Sequence, residues 1–456
     1  MRSQISRQER IAASQPHSVL QWSRRELLKN TLRAGAGAMT AAAIGAHSTS
    51  AVAQDLSGKI VVWAWPGADG PLKQTLPGFN AKYPHITVEI KTLGFDDVHT
   101  KLLAAVSSGR GAPDVSGIED RRVVKFGLTG GLEDLTTKFE PHRSAIMPFK
   151  LSFCTDRDGK VWGLPWDASP TGTFYHVGRL EEAGITPKDI ATWDGYLAAG
   201  KEILGKSGGK VKMLALQPSE ARALYEPIAI QLGAGIFDAS YKLNIESEPF
   251  IKAAEIAQQI MVSGISANVP EYDKAWNEGF NTASWATSPY AVWMGGIIRD
   301  NAPNQAGKWT VARWPSVTPD GPYATQGRDF GSALAIPSQS KNKELAWAFI
   351  EHAQLTAAGQ LIQYTKGDLF PSMITPEVLN APIFKEPDPY FHNDPIREVF
   401  ADSNAKLNVT IAVHPEYAQA QDIIARYLTE PFKGNGTVQE ALKSAAEETR
   451  NKLKIE

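Results

Sequence analysis

Beyond residue 56 the apolar positions fall into short runs whose spacing alternates between strand-like and helix-like. Residues 59–65 (Lys-Ile-Val-Val-Trp-Ala-Trp) are β-rich and closed by Pro66-Gly67, which predicts a strand. Leu72, Leu76, Phe79 and Tyr83 then share one helical face, and Pro77-Gly78 within it predicts a kink or a restart. Residues 86–90 alternate as a second strand. Val98, Leu102, Ala105 and Val106 mark a helix stopped by Gly109, and Pro113-Asp114-Val115 opens a third strand. Strand, helix, strand, helix, strand over about sixty residues predicts parallel strands joined by crossover helices.

Further along, Asp158-Gly159 between Phe153 and Trp162 predicts a hairpin turn. Residues 193–204 carry Tyr196, Leu197 and Leu204 at helical spacing, and residues 250–262 carry Ile251, Ala254, Ile256 and Ile260. Residues 285–323 are rich in Gly, Pro and Trp and predict irregular chain. Residues 334–337 read as a short apolar strand. Residues 340–344 offer N-cap chemistry to a helix bearing Leu345, Phe349, Ile350 and Ala353. Residues 418–428 and 438–453 predict two closing helices split by Lys433-Gly434-Asn435-Gly436. No internal repeat or low-complexity stretch follows residue 53.

The first 53 residues are patterned as an address. Arg2, Arg7, Arg10, Arg24, Arg25, Lys29 and Arg33 stand against only Glu9 and Glu26. A small-residue apolar run from Ala34 to Ala46, too short to span a bilayer, precedes the cleavage-type tripeptide Ala51-Val52-Ala53. Ser23-Arg24-Arg25-Glu26-Leu27-Leu28-Lys29 resembles a twin-arginine export motif. Cleavage after Ala53 is therefore expected, with a soluble periplasmic product and, for want of a Cys after the apolar run, no lipid anchor.

Composition sharpens this. The 456-residue chain is 43% hydrophobic and 21% charged, an ordinary globular balance with room for two domains. The formal net charge of -2 combines a basic leader with an acidic body, and no basic face suggests nucleic acid. The single Cys154 excludes a disulfide framework and a Cys-based zinc site, and reads as a buried thiol. Residues 200–207 match a phosphate-loop pattern literally. A helix precedes them and a strand-like run follows, the reverse of what phosphate binding needs, so a Gly-Lys loop at a helix C-terminus is expected. Asp156-Arg157-Asp158-Gly159 lacks the further ligands of a calcium loop. The seven His between His85 and His414 show no ligand-spaced pair, so no metal and no cofactor are expected.

Tryptophan is the unusual component. Of twelve, Trp63 and Trp65 flank the end of the first strand, Trp162 and Trp166 flank Gly163-Leu164-Pro165, and Trp276, Trp285, Trp293, Trp309 and Trp314 crowd the irregular stretch. For any one of them core packing is the simpler reading. Together, beside Gly, Pro and Asp, they suit a sugar: an indole face packs on C–H groups while carboxylates accept from hydroxyls.

Several segments, in order, carry a family likeness. They are residues 59–63 with 79–88, Gly111-Ala112-Pro113-Asp114-Val115, Gly130-Gly131-Leu132-Glu133-Asp134-Leu135-Thr136, and Asp158-Gly159-Lys160-Val161-Trp162-Gly163-Leu164-Pro165. Glu182-Ala183-Gly184-Ile185 before Thr192-Trp193-Asp194, and residues 340–347, complete the set. The mature chain resembles the extracellular solute-binding proteins of ABC importers, in the maltose-binding-like group. It departs at residues 173–177, 280–284 and 328–331, so the group's commonest sugars are not carried over.

The resemblance implies an α/β fold of two lobes, each a mostly parallel sheet flanked by helices, with three crossings near residues 164–166, Pro315 and residues 367–371. Lobe I would hold residues 54–165 and 316–367, and lobe II residues 166–315 and 368–456. It implies a non-enzymatic monomer that takes a carbohydrate from the periplasm to permease subunits in the inner membrane. Loops at the strand ends then nominate Trp63, Trp65, Asp69, Phe95, Asp96, Glu119 and Asp120 as ligand-binding. The crossings add Trp166, Asp167, Asp368 and Phe370. The second lobe adds Trp293, with Gly295 and Gly296 for close backbone approach, and Arg328 and Asp329 for ligand oxygens. Besides a sensory receptor module with no transport role, two competing readings exist. One is an exported carbohydrate-active enzyme using Glu119, Asp120 and Asp167. The other is an anionic ligand, such as a glycerol phosphate or a sulfonated sugar, met by Arg328.

Overall fold

The computed structural model describes residues 56–327, 330–407, 409 and 411–455. The expected leader and its cleavage site, and Arg328 and Asp329, lie outside the described residues. Ten strands are defined: β1 (Gly58–Ala64), β2 (Ile86–Thr92), β3 (Val115–Glu119), β4 (Leu164–Pro165), β5 (Thr171–His176), β6 (Leu214–Ala215), β7 (Ser266–Ala267), β8 (Thr287–Ala291), β9 (Trp309–Arg313) and β10 (Ser332–Ala335).

The first sheet has the order β2-β1-β3-β10-β4. β1 pairs parallel with β2 and β3, and β10 runs antiparallel to both β3 and β4, so four strands share a direction and the fourth position is reversed. Period-two burial fills both faces. Ile60, Val62, Val115 and Leu334 pack under Leu72, Phe79, Leu345 and Phe349. Ile118, Ala333 and Ala335 pack under Leu102, Val123, Phe126 and Trp162. Pro77 restarts the chain into helix Leu76–Lys82, as its position predicts.

The second lobe repeats the plan. β5 is antiparallel to β8 and β9, and β6 is parallel to β7. The segment just before β6 joins these groups: Lys212 bridges Trp285 in parallel, and the Thr287 amide donates to the Met213 carbonyl at 2.8 Å. The resulting order is β7-β6-β8-β5-β9, again with the fourth strand reversed. Its core includes Phe174, Tyr196, Ile228, Phe250, Ile260 and Trp309, capped by the closing helices Tyr417–Phe432 and Val438–Leu453.

Residues 285–323 are more regular than expected, holding β8, helix Met294–Asn301 and β9. Pro289 lies inside β8 opposite Thr173, with its nitrogen on the side that the Thr287 amide turns toward Met213, so its missing N–H takes no bond from the pairing with β5. The phosphate-loop look-alike is not a loop. Residues 200–206 lie inside helix Trp193–Lys206, where Gly200 lets the helix approach Ile265 and Met213. Asp158-Gly159 does turn a hairpin: Thr155 bridges Val161, and Asp156 Oδ1 accepts from the Asp158 and Lys160 amides.

Two crossings run side by side. β4 leads into β5 and β9 leads back into β10, and the two passages pair with each other. The Trp166 amide donates to the Ser332 carbonyl (2.7 Å), the Ser332 amide to Asp167 Oδ1 (2.9 Å), and Pro170 bridges Gln326. The expected crossing at Pro315 is therefore displaced. Ser316 bridges Thr192 and bonds Ala191, so the chain stays on the second lobe to Gln326 and has joined the first lobe's sheet by Ser332. At the third passage Phe370 bridges Ala168. Residues 372–374 return along residues 145–147, and Met373 and Val378 pack in the first lobe's core before Phe384 joins the second.

Candidate functional site

In both sheets the C-terminal strand ends lie at the crossings. Ser332, the first residue of β10, pairs with Glu119 at the end of β3, and Thr171, the first residue of β5, pairs with Ala291 at the end of β8. Loops at this edge are the place for a ligand.

Three of the expected aromatics meet there. Trp65 lies 5.2 Å, centroid to centroid, from Phe95 and 5.7 Å from Trp166. Gly117 makes room for both indoles, since a Cβ there would lie 2.9 Å from each ring. A glycine inside the strand run 115–119 is the sequence signal that something packs close. Trp166 is buried and donates to Gln363 Oε1 at 2.6 Å, whereas Trp65 is half-buried and Phe95 is 40% exposed. Trp63 points the other way. The pleat turns it under helices Phe95–Ser108 and Asp120–Leu128, where it packs with the core.

His99, absent from the sequence-based set, joins this group. Its Nδ1 lies 2.9 Å from the Phe95 carbonyl, and its Nε2 accepts from the Glu119 amide at 3.0 Å. Desolvation holds its pKa below the ordinary histidine value, although the charge of Glu119 opposes this.

The carboxylates expected to accept from a ligand are mostly engaged. Asp69 accepts from Lys73 (2.7 Å) and Thr92 (2.8 Å), tying the turn after β1 to the end of β2. Glu119 accepts from Arg121 Nε on one oxygen and from Arg122 Nε (2.9 Å) on the other. Asp120 and Lys150 form an ion pair that is 0% exposed. Lys150 also donates to the Phe330 carbonyl at 2.5 Å. Among the described residues the second oxygen of Asp120 has no hydrogen-bond partner. Burial pushes its carboxyl up to about 7, with Lys150 pulling back. Burial also raises Asp167, whose Oδ1 holds the Ser332 amide. Asp120 and Asp167 thus brace the second crossing rather than face a ligand. Asp96 remains exposed in the first turn of helix Phe95–Ser108.

Arg121 continues across the lobes. It donates to Gln421, whose Nε2 donates to both oxygens of Glu226 (2.7 and 2.8 Å). Lys125 meets Glu416 at 2.7 Å alongside it. These links pair residues far apart in the chain, and no local pattern announces them.

On the second lobe, Trp293 is half-buried with its ring 4.9 Å from Tyr290. Gly295 and Gly296 do not offer free amides. They begin helix Met294–Asn301, and their N–H groups donate to the Val292 and Trp293 carbonyls. Asp368 accepts from Arg299 (3.1 Å), and Phe370 is buried between Tyr364 and Phe384, so both serve the third passage. Residues missed from sequence line the ends of β6 and β7. Gln217 holds Glu220 (2.8 Å), Glu220 receives the Glu271 amide, Tyr290 donates to Glu271 (2.6 Å), and Tyr272 is 55% exposed. Trp276, Trp285, Trp309 and Trp314, by contrast, are core. Among the described residues no group of His, Cys, Asp and Glu is arranged to hold a metal, and no helix is long and apolar enough to cross a membrane.

Residues 40–360 match the family described as bacterial extracellular solute-binding protein. The chain is 25% identical over 380 residues to an arabinooligosaccharide-binding protein of Halalkalibacterium halodurans, covering 80% of this chain and 82% of that one. It is 28% identical over 386 residues to a lactose-binding protein of Rhizobium radiobacter, covering 82% and 87%. Among solved structures it is similar to an ABC transporter-associated binding protein from B. animalis subsp. lactis in complex with β-1,6-galactobiose. The TM-score there is 0.71 at 25% identity, over 88% of this chain and 98% of that one.

Proposed function

Because the chain belongs to the bacterial extracellular solute-binding proteins, we propose that it captures a carbohydrate between its two lobes and delivers it to the permease of an ABC importer. The observation that carries this is the aromatic pair Trp65 and Phe95, backed by the buried Trp166, at the strand ends beside the crossings. Such faces suit the C–H side of a sugar ring. The similar proteins named for arabinooligosaccharide and lactose binding support the same ligand class. Contacts made to both lobes favour the closed arrangement, and closure is what a permease can sense.

An enzymatic role is disfavoured by the state of the acids. Glu119 is doubly bound by arginines, and Asp120 and Asp167 are buried in bracing roles, which leaves no acid/base pair there. The basic leader supports export to the periplasm by the twin-arginine route, with cleavage after Ala53. N-terminal sequencing of the exported protein tests that.

The ligand claim is tested by thermal shift with lactose, β-1,6-galactobiose, arabinotriose and maltose. At least one should raise Tm in a concentration-dependent way. If every sugar is silent while an amine or a metal ion stabilises, the carbohydrate reading fails.

A further inference from the structure

Packing alone does not require the tie that His99 makes inside the aromatic group. The side chain is 5% exposed and uses both ring nitrogens. A backbone amide can only donate, so the Nε2 that faces the Glu119 N–H is the bare nitrogen, and Nδ1–H donates to the Phe95 carbonyl. The ring is therefore neutral and held in one tautomer. One bond fixes the first turn of helix Phe95–Ser108, and the other fixes the turn from β3 into helix Asp120–Leu128. The ring also packs 5.0 Å from Phe95 and 5.9 Å from Trp65.

On the reading that Phe95 and Trp65 contact the sugar, we propose that His99 is a positioning residue whose neutral ring locks these two turns together, so that its protonation releases the aromatic face and lowers sugar affinity. A proton on Nε2 would set an N–H against the Glu119 N–H, and that bond is lost. The groups facing the ring from its neighbours are Glu119 and Arg122 across from it and Asp96 on its own helix. The two carboxylates favour the cation, while Arg122 and burial oppose it. Burial is the largest influence, so the loss falls on the acid side of the ordinary histidine range.

Titration calorimetry with lactose and with arabinotriose tests this on the mature protein. For the sugar that binds, wild-type affinity should fall at least fivefold from pH 7.5 to pH 5.0. His99→Gln keeps an acceptor for the Glu119 amide but cannot be charged. It should bind three- to tenfold more weakly at pH 7.5 and show no such fall. Wild-type affinity in the variant, or an unchanged pH profile, overturns the proposal. A merely structural histidine would lower Tm on replacement without flattening that profile.

The ligand-free wild type gives a second readout that survives a variant that fails to fold. By NMR, His99 should carry its proton on Nδ1, and the Phe95 and Glu119 amide shifts should move with its titration. An Nε2–H tautomer, or amides indifferent to that titration, also overturns the proposal. If the coupling is present, none of lactose, β-1,6-galactobiose, arabinotriose and maltose binds at any pH, and an amine or a metal ion stabilises instead, the carbohydrate reading falls and the tie stands.

Discussion

Trp65 and Trp63 are two residues apart and face different fates. Trp65 leaves the end of β1 and keeps part of its ring in solvent beside Phe95, whereas Trp63 still obeys the pleat and packs under helices. Trp65→Ala should cost ~1–2 kcal/mol of sugar affinity by calorimetry, with little loss of stability. Trp63→Ala should do the reverse, lowering stability by about 3 kcal/mol and leaving affinity alone. The position of Trp65 at a strand end was legible in the sequence, because Pro66-Gly67 marks where the strand stops. The role of Trp63 was less legible, since which face a strand residue meets depends on which helices cover it.

The Asp120–Lys150 pair shows the same limit, for their contact across thirty residues leaves no periodic trace. Lys150→Ala should cost about 3–5 kcal/mol by leaving a buried carboxyl without its partner, while Asp120→Asn with Lys150→Met should be far milder. The pH effect has a definite sign. Between the usual carboxylate range and about 7, folded Asp120 keeps a proton that the unfolded chain has released. Its contribution therefore makes stability fall as pH rises through that interval and level off above it. Denaturant unfolding between pH 4.5 and 8 should show this component in the wild type and lose it in the double variant.

Among the elements, two glycines separate a hinge from a helix. Gly331 has φ 106°, and a Cβ there would lie 2.5 Å from the Asp167 carbonyl and 2.8 Å from Lys150 Nζ. Gly331→Ala should cost about 2–4 kcal/mol, read from the denaturation midpoint, because both the backbone and the neighbours oppose it. Gly205 lies inside helix Trp193–Lys206 with nothing near its missing Cβ. Gly205→Ala should stabilise by ~0.5–1 kcal/mol. In the first lobe β1 and β2 are seven residues each and long enough to show their period, although the two-residue β4 is not. β6 and β7 are two residues each, and β8 contains a proline, so the second sheet had little pattern to reveal.

At the scale of the whole molecule, the two sheets share one order and one reversed strand, and a paired ribbon passes through both. All the strands of the second sheet come from residues 171–313, set into the connection between the neighbouring strands β4 and β10. The two ends of that insert already touch, through Pro170 and Gln326. Genetically, then, the second lobe is a cassette whose core is finished largely by helices beyond residue 396, such as Tyr417–Phe432. A fragment of residues 168–328 should stay unfolded alone and gain structure, read by circular dichroism, when a separate peptide of residues 380–455 is added. The chain's last seventy-odd residues would then act as an intramolecular chaperone for a lobe translated well before them.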